Sequence, residues 1–124
     1  MENVLIVDDI EDYLFSLETY LEERFNVLKS TTKEDAMNAI DNSEIELAVL
    51  DIRLNEEDED NREGLGLMKY LKEKRPNAKV IVMSAYKDFG TAVEALNEGA
   101  DHFLQKPISS DELNTAIDRL LPKR

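Results

Sequence analysis

The chain contains no cysteine. A disulfide framework, a thiolate zinc site and a cysteine nucleophile are therefore excluded. Basic residues are also scarce: fifteen Lys and Arg stand against twenty-eight Asp and Glu, a formal net charge of −13. Such a surface repels phosphate backbones and anionic membranes, so direct nucleic-acid or membrane binding is not expected. It favours a cationic partner surface or a bound cation. The N-terminus offers no basic segment before its first apolar run, Val4–Val7, which is too short for a signal peptide or a membrane span. A soluble, cytoplasmic chain is expected.

What is present suits one folded domain. With 124 residues, 42% of them apolar, the chain can bury a single core of one sheet and its helices, with no room for a second domain. Val4–Val7, Leu47–Leu50 and Val80–Met83 are continuous apolar runs, the pattern of strands buried on both faces. Asn26–Lys29 and His102–Leu104 are weaker strand candidates.

Helical patterns lie between and after them. Ile10, Leu14, Leu17 and Leu21 share one face. Thr31 and Glu34 form a capping-box pair before Ala36, Ala39 and Ile40. Leu67, Met68 and Leu71 follow Gly64, and Pro76 ends that segment. Ala92, Val93 and Leu96 make a thin stripe that ends at Gly99, a C-cap. Ser109 and Glu112 form a second capping box, with Leu113, Ala116, Ile117 and Leu120 inward and Pro122 as the stop. Five strands alternating with five helices predict an α/β fold, a parallel sheet covered on both faces.

Ligand sites in such sheets form beyond the carboxyl ends of the strands. There the sequence delivers Asp8 and Asp9 after the first strand, Asp51 after the third, Ser84 after the fourth, and Lys106 with Pro107 after the fifth. Three close carboxylates need a counter-charge. An oxygen-only donor set points to a hard divalent cation, and magnesium fits best. Lys106 and Ser84 could hold an anion beside it. A carboxylate nucleophile with a metal, a lysine and a hydroxyl around it suits phosphoryl transfer. Each residue taken alone also has a plainer reading: a turn or helix cap for the aspartates and Ser84, a solvated turn for Lys106. The combination at four strand ends is what favours the chemistry.

In order and spacing, the motifs Val4-Leu5-Ile6-Val7-Asp8-Asp9, Leu47-Ala48-Val49-Leu50-Asp51, Val82-Met83-Ser84-Ala85-Tyr86 and Gly99-Ala100-Asp101-His102-Phe103-Leu104-Gln105-Lys106-Pro107 resemble the response-regulator receiver domain. The resemblance covers essentially the whole chain, 1–124, as one such domain of two-component signalling. It implies a flavodoxin-like (βα)5 three-layer sandwich with strand order 2-1-3-4-5. It implies that Asp51 is the phosphoacceptor, supplied by a histidine kinase, a phosphorelay partner or a small phosphodonor. Asp8, Asp9, Asp51 and the backbone carbonyl of Arg53 would hold Mg2+, and Lys106, ahead of a cis Pro107, would pair with the phosphoryl group. Ser84 and Phe103 would switch the face of the fourth helix, fifth strand and fifth helix, through which a homodimer could form. The stretch from Ser84 to Pro107 is most similar to receivers attached to sigma-54-dependent activators.

The sequence departs from that family in places. Phe103 replaces a frequent tyrosine, and it reads equally as an ordinary core aromatic. Arg53 and Tyr86 occupy positions that influence phosphoryl lifetime in the family, and a bulky pair there would shield the acyl phosphate. Gly64 lies thirteen positions after Asp51, farther than usual, and the loop lacks its common proline. Asn55–Glu63 is almost wholly charged or polar and reads as an exposed insertion, or as an acidic element that selects a basic partner. It fails as an EF-hand loop, because Arg62 and Lys69 stand where ligands belong. His102, the only histidine, is expected to pack at a surface and not to carry phosphate.

Two other classes compete. A haloacid-dehalogenase-type phosphohydrolase uses similar chemistry but needs Asp-x-Asp after its first strand, where this chain has Asp8-Asp9-Ile10. An interaction domain with a relict site would take up neither phosphate nor magnesium. The output and the cognate kinase are not legible in the sequence.

Overall fold

The computed structural model describes residues 1–54, 63–85 and 89–122. Expectations that fall on the loop residues 55–62, on Tyr86 and on Lys123–Arg124 lie outside those residues. In chain order the elements are β1 (Asn3–Val7), α1 (Glu11–Leu21), β2 (Asn26–Ser30), α2 (Lys33–Asn42) and β3 (Leu47–Asp51). They continue as α3 (Glu63–Lys74), β4 (Lys79–Ser84), α4 (Phe89–Asn97), β5 (His102–Gln105) and α5 (Ser110–Leu120). The strands form one sheet in the order β2-β1-β3-β4-β5, and every pairing is parallel.

Alternate residues of the central strands feed two separate cores. Val4, Ile6, Leu47, Val49, Ile81 and Met83 pack against α1 and α5. Leu5, Val7, Ala48, Leu50, Val80 and Val82 pack against α2, α3 and α4. This is the flavodoxin-like three-layer sandwich, and it explains the unbroken apolar runs: β1, β3 and β4 are covered on both sides. No helix among the described residues is long and apolar enough to cross a membrane.

The sequence-predicted strands run short by one residue at one or both ends. Asp51 pairs with Met83 and Ser84 with Gln105, so both polar residues are the last members of their strands. Backbone pairing continues past the point where the apolar pattern stops. The first capping box is displaced. Thr32, not Thr31, caps α2, its side chain accepting from the Asp35 backbone N–H at 3.1 Å. Both threonines have an acid three residues on; starting the helix at Lys33 turns Ala36 and Ile40 into the core. The Ser109–Glu112 box is present as expected. On α4 the inward residues are Ala92 and Ala95, while Val93 and Leu96 are each 42% exposed. Gly99 ends that segment with φ +124°, where a side chain would be strained.

Candidate functional site

Sheet register assembles the site. Val7 is opposite Leu50, so Asp8, the residue after β1, emerges beside Asp51 at the end of β3. Ser84 closes β4, and its carbonyl accepts from the Lys106 N–H at 2.9 Å, setting Lys106 just past β5. The Lys106–Pro107 peptide is cis, as the resemblance implied.

Asp8 and Asp51 each divide their two oxygens in the same way. Asp8 Oδ1 accepts from the Ile10 backbone N–H at 2.9 Å, and Asp51 Oδ1 accepts from the Arg53 N–H at 3.1 Å. Asp8 Oδ2 lies 2.8 Å from Lys106 Nζ and Asp51 Oδ2 lies 2.9 Å from it. The turn reading of these aspartates therefore describes one oxygen of each; the other meets the ammonium. Asp8 is fully buried, Asp51 is 2% exposed and the Lys106 side chain 6%. The solvated-lysine reading of Lys106 does not hold.

Charge is concentrated here in a dry place. Burial raises the Asp51 carboxyl to about 7. Lys106 opposes that rise and Asp8 reinforces it. Burial likewise raises Asp8, again against Lys106. Burial disfavours the charge on Lys106, but Asp51 and Asp8 together outweigh it and raise its pKa. One ammonium thus faces a surplus of carboxylates.

Asp9 joins the group: Asp8, Asp9 and Asp51 each offer an oxygen within 4.8 Å of the others. The donor set is all oxygen, partly desolvated and over-supplied with negative charge. It fits a hard divalent cation, which would offset the charge that Lys106 leaves. Arg53 is buried beside Asp51, and Ser84 is 1% exposed at the end of the neighbouring strand. Phe103 is half-buried and packs against the α2–α4 core; His102 is half-buried at the sheet edge.

Two contributors were not singled out for these roles in the sequence. Gly64 was read only as a marker before α3, yet its N–H donates to the Ile52 carbonyl at 2.9 Å. Gly64, thirteen positions after Asp51, thus lies against the end of β3. Tyr13 lies under Lys106, with Nζ 4.4 Å from its ring centroid. Its only sequence signal was an aromatic at the edge of the Ile10–Leu14–Leu17 stripe, close after the acid pair.

The response regulator receiver domain profile matches residues 4–118. The chain belongs to the response regulator receiver domain family. Receivers of two-component systems are therefore its kin. It is 31% identical to the DNA-binding transcriptional regulator NtrC of Proteus hauseri over 96% of this chain and 24% of that one. The receiver domain of NtrX from Brucella abortus superposes with a TM-score of 0.86 at 29% identity, covering 98% of this chain and 99% of that one. A response regulator from Burkholderia pseudomallei, solved with a phosphorylated aspartic acid, a calcium ion and citrate, gives a TM-score of 0.81 at 30% identity. That match covers 94% of this chain and 66% of the other. The chain spans from about a fifth to about three fifths of the curated relatives it matches, 19% of LuxO from Vibrio cholerae and 61% of a RegA protein from Rhodovulum sulfidophilum.

Proposed function

We propose that residues 1–124 form one receiver domain that accepts a phosphoryl group on Asp51 and acts as a signalling switch. It is not a turnover enzyme. The observation that carries this reading is Lys106 Nζ held between Asp51 Oδ2 and Asp8 Oδ2 beside a three-carboxylate cluster. An oxygen of Asp51 attacks the phosphorus of a histidine-kinase or phosphotransfer-protein phosphohistidine. The new O–P bond forms as the N–P bond breaks, and the imidazole leaves. Asp8, Asp9, Asp51 and the Arg53 carbonyl would hold Mg2+, which supplies charge compensation on the transferring oxygens.

Lys106 exchanges its contact with Asp51 for one with the phosphoryl group. Ser84 turns its hydroxyl to a phosphoryl oxygen, and Phe103 repacks toward α4. The acyl phosphate and divalent ion reported for the Burkholderia relative support this chemistry. The face of α4, β5 and α5 is the output surface. Phe89, Val93 and Leu96 expose an apolar row there, which suits a homodimer contact. The partners are a kinase and a downstream protein or attached effector, with neither nucleic acid nor membrane bound directly, in the cytoplasm.

Incubation with radiolabelled, phosphorylated candidate kinases tests the reading. Label should move to the wild type and not to Asp51→Asn. Equal labelling of both would exclude Asp51 as the acceptor.

A further inference from the structure

The ammonium of Lys106 meets an aromatic ring as well as the carboxylates of Asp8 and Asp51. The Tyr13 ring lies 4.4 Å from Nζ, within the range where the ring's negative face attracts a cation. The Lys106 side chain is 6% exposed, so little water competes for that face. Tyr13 sits in the first turn of α1, its N–H donating to the Ile10 carbonyl at 3.1 Å. The start of that helix is fixed by Asp8 Oδ1, which accepts from the Ile10 N–H. One aspartate thus touches the lysine and anchors the turn that carries the aromatic.

We propose that Tyr13 is a positioning residue for Lys106, keeping its ammonium at the reaction centre while the carboxylates change partners. The inference rests on Asp51 being the phosphoryl acceptor. In the resting site Lys106 is held by the anions Asp51 and Asp8 among its contacts. On phosphoryl uptake the charge of Asp51 moves outward onto the phosphoryl oxygens, and Asp8 would be shared with a divalent cation where one is bound. Lys106 therefore has to leave one anionic contact and take up another within the same step. Lysine has a long, flexible stem, so the side chain itself does not keep the ammonium on course during that exchange. The attraction of the ring does not depend on the ionisation of either aspartate, so it persists through the change. Tyr13 takes no part in bond making; its effect passes through Lys106.

The test uses the full chain with acetyl phosphate and Mg2+, following acyl-phosphate formation. Tyr13→Phe keeps the ring and should label at close to the wild-type rate. Tyr13→Leu and Tyr13→Met remove it with apolar replacements of different shape, so a folding defect in one leaves the other usable. Both should slow labelling by roughly fivefold to thirtyfold. The Lys106 ε-methylene protons, shifted by the ring in the wild type and in Tyr13→Phe, should lose that shift in Leu and Met. Wild-type rates in Leu and Met, or a Phe variant as slow as they are, would overturn the proposal. Failure of the underlying reading has a different signature: the wild type itself takes up no label on Asp51, which removes the step in which Tyr13 would act.

Discussion

A Cβ placed on Gly64 would stand 2.0 Å from the carbonyl oxygen of Asp51. It would also meet the Ile52 Cα at 2.6 Å and the Ile52 carbonyl oxygen at 2.7 Å. These are backbone atoms at the end of a central strand and have nowhere to move. Gly64→Ala should therefore destabilise the domain by about 1–3 kcal/mol and displace Asp51. Gly66→Ala is the control, because its Cβ would meet only the mobile end of Lys33, with Nζ at 3.2 Å. Urea denaturation should find the first variant well below the wild type and the second close to it. Equal midpoints would mean that α3 does not press on the Asp51 strand end.

Removing Lys106 should separate metal binding from phosphoryl uptake. Lys106→Met takes a cation away from Asp8 and Asp51, so the cluster should bind Mg2+ more tightly. The same change should abolish or greatly slow labelling. Isothermal titration and an acetyl phosphate assay check the two halves; weaker Mg2+ binding would show that Lys106 supports the metal site instead of competing with it.

Apo stability should fall as pH rises. The folded Asp51 carboxyl titrates near 7, against 3.8 as its ordinary value, and Asp8 is raised in the same direction. Between these values the folded chain holds protons that the unfolded chain releases, so stability is lost as pH climbs from about 4 through 7. The raised pKa of Lys106 acts only above the ordinary lysine range and leaves this window untouched. In chelator at pH 8, Asp51→Asn should be more stable than the wild type by on the order of 1–3 kcal/mol. The gap should shrink toward pH 5 and on adding Mg2+ to the wild type. A gap independent of both pH and Mg2+ would contradict this electrostatic account.

The displaced cap is also open to measurement. Thr32→Ala removes the acceptor for the Asp35 N–H and should cost about 1 kcal/mol, while Thr31→Ala should cost much less. Thermal melts of the two variants decide between the adjacent threonines.

Much of this molecule was legible because its signals are local or periodic. Unbroken apolar runs mark buried parallel strands, and the acids and lysine at three strand ends mark the cluster of Asp8, Asp9, Asp51 and Lys106. The errors arise where the deciding contact is distant or the local signal is duplicated. Thr31 and Thr32 carry the same pattern, and only the direction in which Ala36 and Ile40 must face separates them. On α4 the apolar stripe of Ala92, Val93 and Leu96 is right only in Ala92: the sheet is approached by Ala92 and Ala95, and Val93 and Leu96 are exposed. The partnership of Tyr13 with Lys106 joins residues on α1 and beyond β5, a contact no spacing reveals. The close approach of Gly64 to Asp51 depends on where a long loop returns.

The most direct test of the central claim is stoichiometric. The chain is incubated with acetyl phosphate and Mg2+, and bound phosphate is counted and mapped by mass spectrometry. One acid-labile phosphate per chain on Asp51, absent from Asp51→Asn and formed without sustained release, is the result expected of a switch. Continuous hydrolysis of phosphate esters, or no uptake at Asp51 at all, would contradict it.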